Sequence, residues 1–319
     1  MRTRSALALA LLASACGTLA VPEAREILRE PVGDEILVCG EAVRVGAPVV
    51  LWSESPYYSA YRNGPRFRAS DEAKDRGPRC DLGRRAREGW TVVAPGESDL
   101  DTLRGVVDQL VLHYDVAGTS RNCFKVLQDE RKLSAHFLLD LDGTIYQTLD
   151  LGEQAWHARA ANPRSIGVEI ANVGAYPREE RARLARWYEW TEEGTRLSIP
   201  ASLGDGGLRT AFSARPARSG PIAGPIHGAT YVQHDFTSEQ YESLAALAAA
   251  LARVLPRIEL DAPRDEGGAV RTDALTDDEE AAFHGVLGHY HLQTDKRDPG
   301  PAFDWERFLE AARARIAQP

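Results

Sequence analysis

From Val106 onward, the spacing of apolar residues predicts alternating strands and helices. The run VVDQLVLHY is continuously apolar before it turns polar, which is typical of a buried strand, and SIGVEIAN repeats this pattern. Between them, AHFLLDLDGTIYQTLD predicts two strands joined at Asp142-Gly143, a dipeptide typical of hairpin turns. SRNCFKVLQ, in contrast, places its apolar residues along one face of a short helix.

Helical spacing returns in the second half of the chain. Residues 178–193 are spaced as a helix, and TSEQYESLAALAAALARVL predicts an apolar helix that starts with a Thr237–Gln240 capping box and ends near Leu255. Residues 199–231 are rich in Gly, Pro and Ser and predict an ordered loop. A short helix, the apolar GVLGHYH and an amphipathic helix at 305–316 follow. We therefore predict an α/β fold with a central mixed β-sheet flanked by helices.

The chain before Val106 has a different pattern. Short β-rich runs at 36–38, 48–52 and 90–94 are separated by charged stretches that contain Gly and Pro. We predict a strand-containing N-terminal extension at 16–95, followed by a main domain at 96–319 with an insertion at about 174–235.

The first residues, MRTRSALALALLASACG, have the pattern of an export signal. Two arginines, a short apolar core and three small residues predict a signal peptide at 1–15, too short to span a membrane. Cys16 directly after the small residues resembles a bacterial lipobox, although ordinary cleavage stays open, and Gly17 resembles the pattern of outer-membrane retention. We expect a periplasmic lipoprotein that contacts the outer membrane through its lipid anchor only.

Charge and cysteine content narrow the function classes. With 38 Lys+Arg against 47 Asp+Glu, the net charge is −9, which argues against a general nucleic-acid binder. Export places Cys39, Cys80 and Cys123 in an oxidising compartment. One disulfide between Cys39 and Cys80 is favoured, and three free thiols are the alternative. The oligomeric state is not indicated.

Candidate chemistry lies where predicted strands end. His113 closes LVLHY, His289 closes VLGHY, and Asp298 follows in TDKRDPGP. Two imidazoles and one carboxylate suit a catalytic zinc, since three protein ligands leave a position for water. Each residue alone is more simply a buried hydrogen-bonded group or a turn cap, but the joint pattern favours the metal. His291, one strand alternation beyond His289, is the competing ligand.

Four segments carry a family resemblance: LVLHY, SAHFLLDLDGTIYQ, AWHARAANPRSIGVEIAN and GHYHLQTDKRDPGPAFDW. In this order they resemble the zinc-dependent N-acetylmuramoyl-L-alanine amidases of the amidase-2 family, which shares its fold with peptidoglycan recognition proteins and phage T7 lysozyme and includes outer-membrane lipoproteins. The resemblance covers about 106–173 and 236–305. It implies zinc in an open groove and hydrolysis of the amide between N-acetylmuramic acid and L-alanine, in peptidoglycan or in muropeptides.

Carried over residue by residue, the resemblance implies one zinc per chain, bound by His113, His289 and Asp298. It places the catalytic glutamate at Glu169 and the catalytic lysine at Lys296. Zinc lowers the pKa of a coordinated water, and a neighbouring carboxylate can then accept the proton. A lysine can stabilise the negative charge that develops on the carbonyl oxygen.

The resemblance also implies a substrate groove lined by Trp156, His157 and Asn162, and a structural role for His136. Ala135 stands where some relatives have a tyrosine near the metal. Two other functions stay open: a peptidoglycan-binding module without catalysis, and a zinc peptidase or amidase of the same fold with a different substrate.

Overall fold

A computed structural model describes residues 33–54, 58–61, 100–210 and 212–317. The predicted signal peptide, the lipobox cysteine Cys16, Cys80 and the predicted strand at 90–94 lie outside these residues.

A six-stranded mixed sheet forms the centre of the molecule. The strands are β3 (Val49–Leu51), β4 (Gln109–Tyr114), β5 (Phe137–Leu139), β6 (Ile145–Gln147), β7 (Ser165–Ile170) and β13 (Gly285–Gly288). They lie in the order β13-β4-β7-β5-β6-β3. Strands β13, β4, β7 and β5 are parallel, β6 is antiparallel to β5, and β3 is parallel to β6. The predicted hairpin at Asp142-Gly143 is confirmed as β5 and β6.

Helices cover both faces of this sheet, which confirms the predicted fold class. The helices are α1 (Leu100–Val106), α2 (Ser120–Lys125), α3 (Ser238–Val254), α4 (Asp277–Ala282), α5 (His289–Leu292) and α6 (Trp305–Ile316). Helix α3 buries one face together with α6, because alternate residues of β4 and β7 point toward their apolar side chains. Helix α2 covers part of the other face.

The local signals for helix α3 are as predicted. The Thr237 side chain accepts from the Gln240 backbone N–H at 3.0 Å, and the Gln240 side chain accepts from the Thr237 N–H at 2.9 Å. Helix α2 is shorter than predicted, and a π-helical turn (Val126–Arg131) continues it.

The chain between β7 and α3 contains strands where the sequence predicts a helix and a loop. The predicted helix at 178–193 is a 3-10 helix (Arg178–Arg186) followed by β9 (Tyr188–Thr191), which pairs with β10 (Gly194–Leu197). The predicted loop at 199–231 contains β11 (Pro221–Ile226), which pairs with β12 (Ala229–His234), and β12 also pairs with β8 (Tyr176–Pro177). Because β11 lies at a sheet edge, its prolines are tolerated. The same prolines give the segment the composition of a loop, which explains the loop prediction.

The segment 33–54 packs into the same core as the rest of the chain. Strand β1 (Glu35–Val38) pairs with β2 (Glu41–Arg44), and Ile36, Leu37 and Val38 are fully buried. The Leu37 N–H donates to the side-chain oxygen of Gln147 at 2.8 Å. Cys39 and Cys123 are both buried. Within the described part of the chain, no helix is long and apolar enough to span a bilayer.

Candidate metal centre

Three parallel strands place His113, Glu169 and His289 at one edge of the sheet. His113 and Glu169 are register partners on the neighbouring strands β4 and β7, so their side chains point to the same face. His289 directly follows β13, the neighbour of β4 on its other side. The predicted extension of that strand through His289 is wrong, since β13 ends at Gly288 and His289 begins α5. Because the strands are parallel, their carboxyl ends meet at this edge.

His113, His289 and Asp298 form a closed triangle of ligand atoms. The two Nδ1 atoms lie 3.0 Å apart, and Asp298 Oδ2 lies 2.8 Å from His113 Nδ1 and 2.9 Å from His289 Nδ1. All three side chains are buried. Tetrahedral zinc with ligands at about 2.0–2.1 Å separates them by about 3.3 Å, so the triangle needs to widen by only a few tenths of an ångström. The residues therefore fit the predicted metal.

The protonation of the triangle also suits a cation. Burial, with a contribution from His289, lowers the pKa of His113 to about 4, so this imidazole is neutral at physiological pH. Burial alone would raise the pKa of Asp298, but the two adjacent imidazoles reverse the effect and hold it well below its usual range. A neutral imidazole and an ionised carboxylate are the forms that bind metals.

Glu169 and Lys296 line the same cavity as the triangle. The cavity has a volume of about 420 Å³, and π-turn residues that follow α2 form another wall. Burial, together with the negative charges of Asp298 and Asp115, raises the pKa of Glu169 well above its usual value. A carboxylate with a raised pKa is a stronger base, as a proton acceptor in this cavity needs to be.

Two of the three predicted groove residues line the cavity, and the third lies behind them. Trp156 and His157 line the cavity. The Asn162 side chain is buried, and its oxygen accepts from the backbone N–H groups of His157 at 3.0 Å and Ala158 at 2.7 Å. Asn162 thus holds the backbone that carries His157, and it is not among the residues that line the cavity.

His291 and His136 both have structural hydrogen bonds. His291 Nδ1 accepts from the Gly288 N–H at 2.9 Å, and its Nε2 lies 2.9 Å from the Arg271 carbonyl oxygen. The helical turn of α5 therefore directs this ring away from the triangle, contrary to the strand alternation that made it a competitor. His136 accepts from the Gly167 N–H at 3.1 Å.

Two contacts of the centre were not predicted. His157 Nδ1 lies 3.0 Å from His113 Nε2, and Gln293 Nε2 lies 2.6 Å from His289 Nε2. Arg131, at the end of the π-helical turn, also lines the cavity. No sequence motif marks Gln293 or Arg131, and for His157 the family resemblance implies a substrate contact instead.

The fold and the ligand set together define an α/β protein with a site suited to a catalytic metal. Residues 103–202 match the Amidase_2 family model, described as N-acetylmuramoyl-L-alanine amidase. This match supports the predicted family and enzyme class. The matched segment includes His113 and Glu169 but ends before His289, Lys296 and Asp298. No curated protein sequence is significantly similar to this chain.

Several solved structures are similar to parts of this chain. A selenomethionine derivative of AmpD is 19% identical, with 71% of this chain and 98% of that chain covered and a TM-score of 0.34. AmiD from E. coli, solved with anhydro-N-acetylmuramic acid-L-Ala-D-gamma-Glu-L-Lys as substrate, is 17% identical over 72% of this chain and 66% of its own, with a TM-score of 0.36. The endolysin LysCS from Clostridium intestinale is 15% identical over 67% and 87%, with a TM-score of 0.34.

Proposed function

We propose that this protein is a zinc-dependent N-acetylmuramoyl-L-alanine amidase that cleaves the bond between N-acetylmuramic acid and L-alanine in peptidoglycan or muropeptides. The observation that carries the proposal is the triangle of His113, His289 and Asp298 beside Glu169 and Lys296 in one cavity. The Amidase_2 match over 103–202 supports the same reaction.

In this proposal the side chains divide the work. Bound zinc would supply a Lewis acid that activates water and polarises the amide carbonyl. Glu169 accepts a proton from the attacking water as the new C–O bond forms, and its raised pKa suits this step. The Lys296 ammonium stabilises the negative charge that develops on the carbonyl oxygen. The proton on Glu169 then passes to the leaving amine as the C–N bond breaks.

The test is incubation of the zinc-loaded protein with purified peptidoglycan and, separately, with soluble muropeptides, followed by mass analysis of the products. We expect free stem peptide and peptide-free glycan. Binding without cleavage would favour a non-catalytic peptidoglycan-binding module. Cleavage within the stem peptide would indicate a zinc peptidase of the same fold.

The proposed reaction takes place where peptidoglycan is found, and the N-terminal sequence supports an exported protein. We propose that residues 1–15 are removed and that Cys16 is lipidated for anchoring in the outer membrane. Replacing Cys16 by Ser should release the protein into the soluble periplasmic fraction. A wild-type protein whose mass shows no attached lipid would contradict the anchor.

A further inference from the structure

Each histidine of the candidate centre uses one ring nitrogen in the triangle and presents the other to a partner side chain. His113 Nε2 faces His157, and His289 Nε2 faces Gln293, at the 3.0 Å and 2.6 Å separations given above. Neither partner contributes to the triangle itself.

Such contacts matter because a neutral imidazole carries one proton. The nitrogen without the proton can bind a metal, so a partner that accepts a hydrogen bond from Nε2–H leaves Nδ1 free. Both Nδ1 atoms lie in the triangle, which is the arrangement that metal binding by these two rings requires.

We propose that His157 and Gln293 are positioning residues that hold His113 and His289 in the tautomer whose Nδ1 binds the metal. This inference rests on the proposed zinc function. It gives His157 a role different from the substrate contact that the family resemblance implied.

The surroundings of His157 fix its ring in place. His157 Nε2 lies 3.2 Å from Ser165 Oγ, which leaves Nδ1 to accept from His113 when Nε2–H donates to Ser165. The ring lies directly over Gly167 of β7, where an added Cβ would come within 2.6 Å of His157 Cγ. Any larger residue at Gly167 would therefore displace the ring. The absence of a side chain at Gly167 is what allows His157 to lie in this position.

The orientation of the Gln293 side-chain amide determines which ring nitrogen of His289 carries the proton. Its amide nitrogen faces His289 Nε2, and its buried Oε1 has no hydrogen-bond partner among the described residues. In this orientation the His289 proton sits on Nδ1, where it points toward Asp298. A half-turn of the amide exchanges nitrogen and oxygen. Oε1 then accepts from Nε2–H, and Nδ1 becomes free for a metal.

The test uses the full chain with zinc alone as the probe. Zinc affinity is measured by competition with a chromophoric chelator for the wild type, Gln293→Leu, Gln293→Glu and His157→Phe. Loss of an acceptor beside a ligand histidine typically weakens metal binding about 10–100-fold. We expect this loss in Gln293→Leu and His157→Phe, and recovery to near wild-type affinity in Gln293→Glu, whose carboxylate accepts the same hydrogen bond.

A second readout needs no substitution. In zinc-loaded wild type, ¹⁵N NMR of the imidazoles should show protonated Nε2 and metal-bound Nδ1 on both histidines. Metal bound through Nε2 of either ring, or wild-type affinity in both Gln293→Leu and His157→Phe, would overturn the inference. A wild type that binds zinc through both Nδ1 atoms but releases no stem peptide would contradict only the proposed function. A wild type without zinc affinity would overturn both.

Discussion

At the scale of single residues, the centre separates binding a metal from moving a proton. His113, His289 and Asp298 are close enough to share one cation, whereas Glu169 lies on the neighbouring strand and is not part of the triangle. The triangle and Glu169 can therefore be altered independently, and we expect a different phenotype from each change.

Glu169→Gln should keep zinc and fold but lose turnover. Glutamine has nearly the shape of glutamate and cannot accept the proton, and a positioned general base contributes about 10²–10⁴-fold to the rate. The loss should fall on kcat with little change in KM. Zinc content, melting temperature and turnover are measured together, with the exposed Glu266→Gln as the matched control. Near-normal turnover in Glu169→Gln would remove this residue from the mechanism.

Lys296→Met should also lose turnover while retaining zinc, for a different reason. The methionine keeps the apolar stem but removes the charge that stabilises the developing oxyanion, a loss of about 10²–10³-fold in kcat by analogy with other oxyanion donors. Lys296→Arg should recover part of the rate because it restores a positive charge. Equal activity in the methionine and arginine variants would exclude an electrostatic role.

At the scale of elements, the hairpin of β11 and β12 supports the loop that carries Lys296 and Asp298. Gln233 on β12 donates to the Pro299 carbonyl at 3.0 Å, and its side-chain oxygen accepts from the Ala302 N–H at 3.1 Å. At the hairpin turn, His227 Nε2 lies 3.0 Å from the Lys296 carbonyl oxygen. This hairpin is part of the predicted insertion, and its hydrogen bonds hold the loop of the candidate metal centre in place.

Gln233→Leu should weaken zinc binding although Gln233 is not a ligand. The change leaves a buried carbonyl and a buried N–H without their partners, which costs about 1–3 kcal/mol for each such group. We expect a lower melting temperature and a weaker zinc affinity than in Thr230→Ala, an exposed control on the same strand. If zinc affinity is unchanged while the protein is destabilised, the hairpin supports the fold but not the ligand loop.

At the scale of the whole molecule, the segment 33–54 is integral to the core. Strand β3 pairs with β6 and forms the edge of the central sheet opposite β13. Residues of β1 pack in the same apolar cluster as helix α3. This packing links residues far apart in sequence. We therefore expect segment 33–54 and the rest of the core to unfold together.

Leu37→Ala should destabilise the whole protein in a single transition. Leu37 is fully buried, and truncation of a buried leucine to alanine typically costs about 2–5 kcal/mol. Thermal unfolding is followed by circular dichroism and by loss of zinc, with the exposed Arg44→Ala as control. Two separate transitions, with zinc retained through the first, would show that segment 33–54 is an independent extension.

The buried parts of this fold could be predicted because buried parallel strands are nearly continuous apolar runs. Strands β4 and β7, the hairpin of β5 and β6, and helices α3 and α6 all follow local patterns. Strand β11 could not be predicted, since an edge strand with prolines has a loop-like composition. The strand-end pattern and the family resemblance both predict the three triangle residues, but the contacts of His157 and Gln293 depend on packing between distant segments, which no local pattern reports.

The order of the ligands along the chain has a consequence for biosynthesis. His113 lies 176 residues before His289 and 185 before Asp298. A chain made from its N-terminus therefore exposes His113 and Glu169 long before β13 and the two later ligands emerge. Under the proposed function, a nascent chain, or one that terminates before Asp298, would have no complete metal centre, and hydrolysis of the cell wall would begin only after the segment that carries Asp298 has been made.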